Sequence, residues 1–351
     1  MIKKNLISSI GEFGLIERIK SKIILGPNTK LGPGDDCAVV RPKNEEYLIS
    51  TDILVEGIHF DTSFMSLKHI GHKSVISNVS DIYAMNGNPL HITVGLGISN
   101  KFSVQDIEDL YSGIRLGCKS HNIDIIGGDI TNSFSGLTIS ITIIGSQKKE
   151  KIIYRSGAKE GDLIVVSGNL GDAYLGLQIL MREKDVVSKS KNDIDLSADI
   201  RAQLEKYKPL IERQIKPEAR KDVIDYLKMK NIIPTSMIDV SDGLSSDLLH
   251  ISKSSNVSVS VYEKKIPISN ESIQFCKEIS VNPTIIALSG GEDYELLFTT
   301  KASDAPTILN TSDLSIIGKV GHKKGKNKLI LSSGEEADFE KIGWDHFSQK
   351  K

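Results

Sequence analysis

Segments with strand periodicity and segments with helix periodicity alternate along the whole chain, and none recurs at a fixed interval. Residues 46–52 (EYLISTD) read as a strand ending in an acid, 66–86 as a helix, and 90–98 (LHITVGLGI) as a strand. A second helix covers 103–121, with Ile107, Leu110, Ile114 and Cys118 at three- and four-residue spacing. Residues 123–126 form a short strand entering a Gly-Gly turn, and 136–145 (GLTISITIIG) a long alternating one. After the charge run 147–151 (QKKEK) the same mixture begins again with the strand 162–167 (DLIVVS). Helices are expected at 171–184, 199–213, 217–229, 244–254 and 269–279, with strands at 237–243 and 256–262 and the segment 289–299 behind them. Residues 185–200 read as a polar surface linker. Mixed element order of this kind predicts an α/β (α+β) protein, and 351 residues suit about two domains. The charge run places their boundary between 1–148 and 149–351.

Composition narrows the partners. The chain is 39% hydrophobic and 25% charged, enough apolar content for a real core and too much for a disordered chain. Lys+Arg (44) and Asp+Glu (45) nearly cancel, which removes the electrostatic case for nucleic acid or a membrane surface. No apolar run approaches the ~18 residues of a bilayer span. The first residues, MIKKNLISSIGEF, lack the long apolar stretch of a secretory signal. Cys37, Cys118 and Cys276 are odd in number and far apart, which reads as buried thiols in a reducing cytoplasm.

Acids recur in glycine-rich turns beside apolar strands: Gly32-Pro33-Gly34-Asp35-Asp36, Ser50-Thr51-Asp52, Asn78-Val79-Ser80-Asp81, Gly127-Gly128-Asp129, Asp239-Val240-Ser241-Asp242-Gly243 and Ser289-Gly290-Gly291-Glu292-Asp293. Any one of these alone is an ordinary turn, since Asp and Gly tolerate left-handed backbone. Their recurrence is not. In helix 66–86, Val75, Val79 and Ile82 form an apolar stripe, while Ser74, Ser77, Asn78 and Asp81 make a small polar face beside it. That face fits either close approach to a ligand or helix packing with Asp81 capping a neighbour. Asp242 reads equally as a ligand and as the N-cap of the following helix.

Converging carboxylates cannot stay bare. Two like charges 4 Å apart cost on the order of 4 kcal/mol at an effective dielectric near 20. Hard oxygen ligands without clustered His or Cys select Mg²⁺, which shares its shell with substrate phosphates. The chemistry implied is metal-assisted phosphoryl transfer or hydrolysis. There is no G-x-x-x-x-G-K-[ST] loop and no protein-kinase motif set. Gly168-Asn169-Leu170-Gly171 resembles a dinucleotide loop but lacks the full fingerprint. Arg155 offers a fork for phosphate or a solvated surface charge. Trp344 stacks a substrate ring or plugs the C-terminal tail.

In order, GPGDDCAV, STDILVEGIHF, SNVSDIYAMNGNP, IGGDIT, YRSGAKEGD, IDVSDGLSSDL, SGGEDYEL and GWDHF resemble the thiamine-monophosphate kinase family, from about Gly11 to Phe347. That family shares a superfamily with aminoimidazole ribonucleotide synthetase and selenophosphate synthetase. The resemblance implies a two-domain PurM-like fold, with an N-terminal α/β domain that forms a homodimer and a C-terminal α/β domain. It implies direct transfer of the ATP γ-phosphate to thiamine monophosphate, with several Mg²⁺ ions. By resemblance, Asp36, Ser50, Thr51, Asp52, Asp81, Asp129, Asp239 and Asp242 are the metal set. Tyr111, Gly128, Asp129, Arg155 and Ser241 are nucleotide contacts. His59, Glu292 and Trp344 are contacts to thiamine monophosphate. No catalytic residue beyond the metal cluster is expected, because a phosphate monoester is already nucleophilic at neutral pH. On this reading Asp52 and Asp129 share the metal bridging the ATP phosphates. Selenophosphate synthetase would need a reactive Cys near the N-terminus, and residues 1–30 contain none. A metal-dependent phosphatase and a non-catalytic Mg-nucleotide binder are the rivals from other classes.

Overall fold

The computed structural model describes residues 29–31, 35–40, 45–189 and 204–340. The first sheet is assembled from β1 (Thr29–Leu31), β2 (Ala38–Val40), β3 (Glu46–Val55), β4 (Asn88–Ile98), β5 (Asp124–Asn132) and β6 (Leu137–Gln147), in the order β1-β2-β3-β6-β4-β5. All its pairs are antiparallel except β4 with β5. Two helices lie on one face: α1 (Leu67–Ala84), capped by the Ser66 hydroxyl, and α2 (Val104–His121), opened by a reciprocal Ser103–Asp106 capping box. Even-numbered side chains of β3 and β4 and odd-numbered ones of β6 point under these helices; Leu48, Leu54, Ile92, Val94, Ile139, Ile141 and Ile143 are buried there.

The second sheet contains β7 (Leu163–Ser167), β8 (Ser236–Val240), β9 (Ser258–Tyr262), β10 (Glu295–Thr300), β11 (Leu314–Gly321), β12 (Lys328–Ile330) and β13 (Glu336–Asp338). Its order is β13-β12-β9-β11-β7-β10-β8, antiparallel except for β12 with β9. Around it stand α3 (Asp172–Lys189), α4 (Lys208–Ile215), α5 (Lys221–Met229), α6 (Leu244–Ser255), α7 (Asn270–Glu278), α8 (Pro283–Ser289) and α9 (Ala305–Ile308). Both faces of β7, β8 and β10 are covered, which explains why β7 reads LIVVS without alternation. Val165, Met237, Leu296 and Phe298 join the core under α1, whereas Ile164, Val166, Ile238, Val240 and Leu297 pack against α6.

Helix α1 is therefore held between the two sheets, against β3 on one side and β8 on the other. It is buried nearly all round. Glycines set its approach to α2, since a Cβ on Gly71 would overlap the Leu110 carbonyl oxygen and one on Gly113 that of Lys68.

Most expected elements appear with shifted ends. The 199–213 helix lies partly outside the described residues and is described as α4 from Lys208. The clear difference is Gly127-Gly128-Asp129, which was expected as a turn and lies inside the nine-residue strand β5. A Cβ on Gly128 would overlap the Val94 carbonyl oxygen, so this glycine permits close strand pairing rather than a reversal.

His72 and His121 lie in the α1–α2 layer, with Tyr83 Oη 2.9 Å from His121 Nδ1. Burial, helped by nearby Lys216 for His72 and Lys221 for His121, holds both imidazoles down to about 4. A depressed folded-state value means the unfolded chain takes up these protons first. Their contribution to stability is complete above about pH 6.5 and is lost as pH falls from there towards 4. In urea unfolding the difference in midpoint between wild type and His121→Gln should therefore change between pH 7 and pH 5 in the direction that favours the variant; a pH-independent difference would contradict this.

Candidate active site

Three separate parts of the chain meet beside α1. Asp36 precedes β2, Asp81 is carried by α1, and Asp239 lies on β8 on the side of Met237, facing α1. Each offers a carboxylate oxygen, all within 4.8 Å of one another. Asp52, on the inward face of β3, stands next to them, and its N–H donates to Asn78 Oδ1 at 3.3 Å. Serines orient the acids from the neighbouring elements: Ser50 Oγ donates to Asp81 Oδ2 (2.5 Å) and Ser80 Oγ to Asp239 Oδ2 (2.7 Å).

Electrostatics shows what this cluster lacks. Burial and the charges of Asp52, Asp239 and Asp36 raise the Asp81 carboxyl well above the usual range, against the Ser50 hydrogen bond. Burial and Asp36 push Asp239 up to about 8, opposed by Ser80 and Arg155. Burial also raises Asp52. Among the described residues Arg155 answers this negative field: it forks onto Asp36, with Nε 3.2 Å from Oδ2 and its terminal nitrogen on Oδ1. Asp35, raised to about 6 mainly by burial and by Asp36, accepts the Arg155 backbone N–H at 3.3 Å. Closely spaced hard oxygen donors carrying unrelieved like charge fit a divalent cation such as Mg²⁺.

The remaining sequence candidates are placed as follows. Thr51 points to the opposite face of β3, where its Oγ1 meets Thr142 Oγ1 at 2.7 Å, so its side chain does not reach the cluster. Ser241 and Asp242 follow β8, exposed and half-buried. Asp242 is not the N-cap of α6: the cap position is Gly243, and the buried carboxylate of Asp247 accepts the N–H groups of Asp242 and Gly243 at 3.2 Å. Tyr111 is half-buried on α2 against the first core. His59 Nδ1 accepts the Val55 N–H at 3.0 Å. Asp129 is exposed on β5, in register with Gly95, Ser140 and Ile53. Three strand spacings, roughly 14 Å, separate that row's ends. Within a single chain Asp52 and Asp129 therefore do not share one ion. Trp344 lies outside the described residues.

Glu292 sits in a strained loop. Its φ is +66° and that of Tyr294 is +52°, conformations that cost non-glycine residues on the order of 1 kcal/mol or more. Several contacts fix it: Glu292 N–H donates to Ser241 O (2.8 Å), Tyr294 N–H to Val240 O (2.9 Å), and the Asp293 carboxylate accepts Gly171 N–H (2.6 Å) and Ala173 N–H (3.2 Å) at the start of α3. Burial raises the Tyr294 phenol, and the charges of Glu292, Asp52, Asp239 and Asp81 raise it further, so the loop stands within electrostatic reach of the acid cluster. Sequence reasoning missed Ser80, Asp247, Tyr294 and Lys73. The available signal for Lys73 was a lysine set four and eight residues before Ser77 and Asp81, on the small polar face beside the apolar stripe of this helix.

Residues 34–147 match the family "AIR synthase related protein, N-terminal domain". The chain is similar to the thiamine-monophosphate kinase of Aquifex aeolicus (strain VF5), 34% identical over 97% of this chain and 99% of the relative. It is similar also to that of Bacillus subtilis (strain 168), 31% identical over 96% and 99%. The chain belongs to the thiamine-monophosphate kinase family. A solved structure of AaThiL complexed with AMPPCP and TMP superposes with a TM-score of 0.79 at 32% identity, covering 99% of this chain and all of that one. Among the described residues no helix is long and apolar enough to cross a membrane.

In this thiamine-monophosphate kinase family member, removing one buried like charge should not weaken the fold. Asp81→Asn is expected to melt no lower than wild type in EDTA. Adding MgCl₂ and ATP should stabilise wild type by about 2.7 kcal/mol at a hundredfold excess over Kd and the variant far less, as read by thermal unfolding. Equal stabilisation of both would remove Asp81 from the metal set.

Proposed function

We propose that this protein transfers the γ-phosphate of ATP directly to thiamine monophosphate, forming thiamine diphosphate and ADP in an Mg²⁺-dependent reaction. The reading is carried by the buried carboxylate cluster between the two sheets, in a chain of this family. Asp36, Asp81 and Asp239, with Asp52 beside them, would hold the magnesium, which when bound supplies charge neutralisation between the donor and acceptor phosphates. The protein's own part is placement. Ser50 and Ser80 fix the directions of Asp81 and Asp239. Arg155, forked onto Asp36, would be placed to turn its guanidinium to nucleotide phosphate were a cation held at that carboxylate. The acceptor phosphate is itself the nucleophile, so no protein base is required. Glu292 takes part at the acceptor end, and Asp242, Ser241, Tyr111 and His59 complete the binding groups.

The working unit in this proposal is a homodimer of two-domain chains, with domains 1–148 and 149–351, acting in the cytoplasm. Separate sheets on the two sides of 148–162 support the division. Buried free thiols at Cys37, Cys118 and Cys276 support a reducing compartment. For the dimer, β5 is exposed along its length, Ile126 (56%), Ile130 (60%) and Phe134 (fully exposed) stand in water, and Ile53 (56%) is exposed three strands away on the same sheet. An unpaired apolar edge strand of this kind calls for a partner. A second copy would also bring Asp129 towards Asp52 of its mate, which a single chain does not do.

Purified protein with ATP, MgCl₂ and thiamine monophosphate should yield thiamine diphosphate on chromatography, and omission of ATP or addition of EDTA should abolish it. Phosphate release without ATP would indicate a phosphatase instead; ATP bound and left intact would indicate a binding protein. Mixing inactive Asp52→Asn with inactive Asp129→Asn after reversible dissociation should restore activity, because each mixed dimer regains one intact site. No recovery from a mixture shown to form mixed dimers would place both acids in one chain's site.

A further inference from the structure

Lys73 is 1% exposed, on α1, and it is the one lysine buried this deeply among the described residues. Its Nζ lies 2.8 Å from Glu292 Oε2. The geometry is that of an ion pair rather than an aligned hydrogen bond, so the ammonium keeps donor capacity. Gln214, 2% exposed on α4, donates its Nε2 to the same Oε2 at 3.0 Å. Both contacts therefore converge on one oxygen of a carboxylate whose side chain remains 30% exposed. Lys73 Nζ and Gln214 Oε1 are buried with hydrogen-bonding capacity unused. A buried ammonium is expensive, and a lysine at this depth is retained only when paired. Here the pair joins the first-sheet helix to the strained loop of the second sheet.

Lys73, Ser77 and Asp81 follow one another at four-residue spacing and so share one face of α1. The eight residues from Lys73 to Asp81 span about 12 Å along the axis. The two side chains lean the same way, so that separation persists between the acid cluster at one end and Glu292 at the other.

We infer that Lys73 and Gln214 are positioning residues for the acceptor: they pin Oε2 of Glu292 so that Oε1 receives a hydrogen-bond donor lying on the order of 10 Å from the phosphate held at Asp81. This rests on the proposed function and adds to it a length requirement. Thiamine monophosphate meets it with the exocyclic amine of its aminopyrimidine at the end remote from the phosphate. A shorter phosphate monoester reaches the acids without reaching Glu292.

Isothermal titration calorimetry in MgCl₂ tests this with thiamine monophosphate and AMPPCP titrated separately. Lys73→Met should bind thiamine monophosphate at least about tenfold more weakly, and Gln214→Ala about threefold, with AMPPCP affinity unchanged in both. Lys73→Met added to Glu292→Gln should cost little more than Glu292→Gln alone, as expected for residues acting through one another. Hydroxyethylthiazole phosphate, which lacks the aminopyrimidine, should bind weakly and equally to wild type and Lys73→Met. Equal losses for thiamine monophosphate and AMPPCP, full additivity with Glu292→Gln, or the same loss for the truncated acceptor would each overturn the inference. Should Lys73→Met fail to fold, Gln214→Ala decides by the same criteria. Wild-type protein that binds AMPPCP but no thiamine monophosphate would reject the acceptor itself and the inference with it. Wild type that binds both, with neither variant altered, would reject the inference alone.

Discussion

Carboxylates that water would keep apart are forced together beside α1, and the rest of the architecture serves that compression. Asp36, Asp81 and Asp239 come from a turn, a helix and a strand of the other sheet, and their oxygens approach within 4.8 Å. For Asp81 and Asp239, burial and the neighbouring negative charges act in the same direction and favour proton uptake. A scaffold that imposes such repulsion is arranged to bind positive charge. The Arg155 fork on Asp36 relieves part of it with a group that can withdraw.

Holding that arrangement requires a helix with no solvent face. Helix α1 lies between β3 and β8, and glycines let α2 and the first sheet approach it closely. Gly71 and Gly113 seat it on α2; Ser77, Asn78 and Ser80 face the acids without adding bulk. Its charged residues must then be answered from other elements, which is why Lys73 finds Glu292 across the seam. Behind that contact, within the second-sheet layer, the buried Glu295 takes Arg213 from α4, Arg220 beside α5 and the Ser167 hydroxyl. These contacts stiffen the strand that follows the strained 292–294 loop, where two left-handed non-glycine residues are kept in place.

The acids of the site were legible early because turn and strand-end chemistry is local. GDD, STD, VSD and IDVSD each announce an acid beside an apolar strand, and hard-oxygen chemistry follows from the residue types. Gly127-Gly128-Asp129 misled for a local reason: glycine pairs signal turns, yet here the missing Cβ admits the neighbouring strand. Asp242 misled similarly, since a cap signal in the sequence was answered by Asp247 from inside the helix.

What the sequence by itself determined was the alternation of elements, the mixed fold class, the acid chemistry and its hunger for a divalent cation. All of these follow from residue type and short-range spacing. Only the tertiary structure decided which acids meet, that Asp52 and Asp129 stand three strands apart, that Thr51 faces away, and that Lys73 is paired with Glu292. Those facts depend on strand order, register and helix crossing, which are set by packing between segments distant in sequence and leave no local periodic trace.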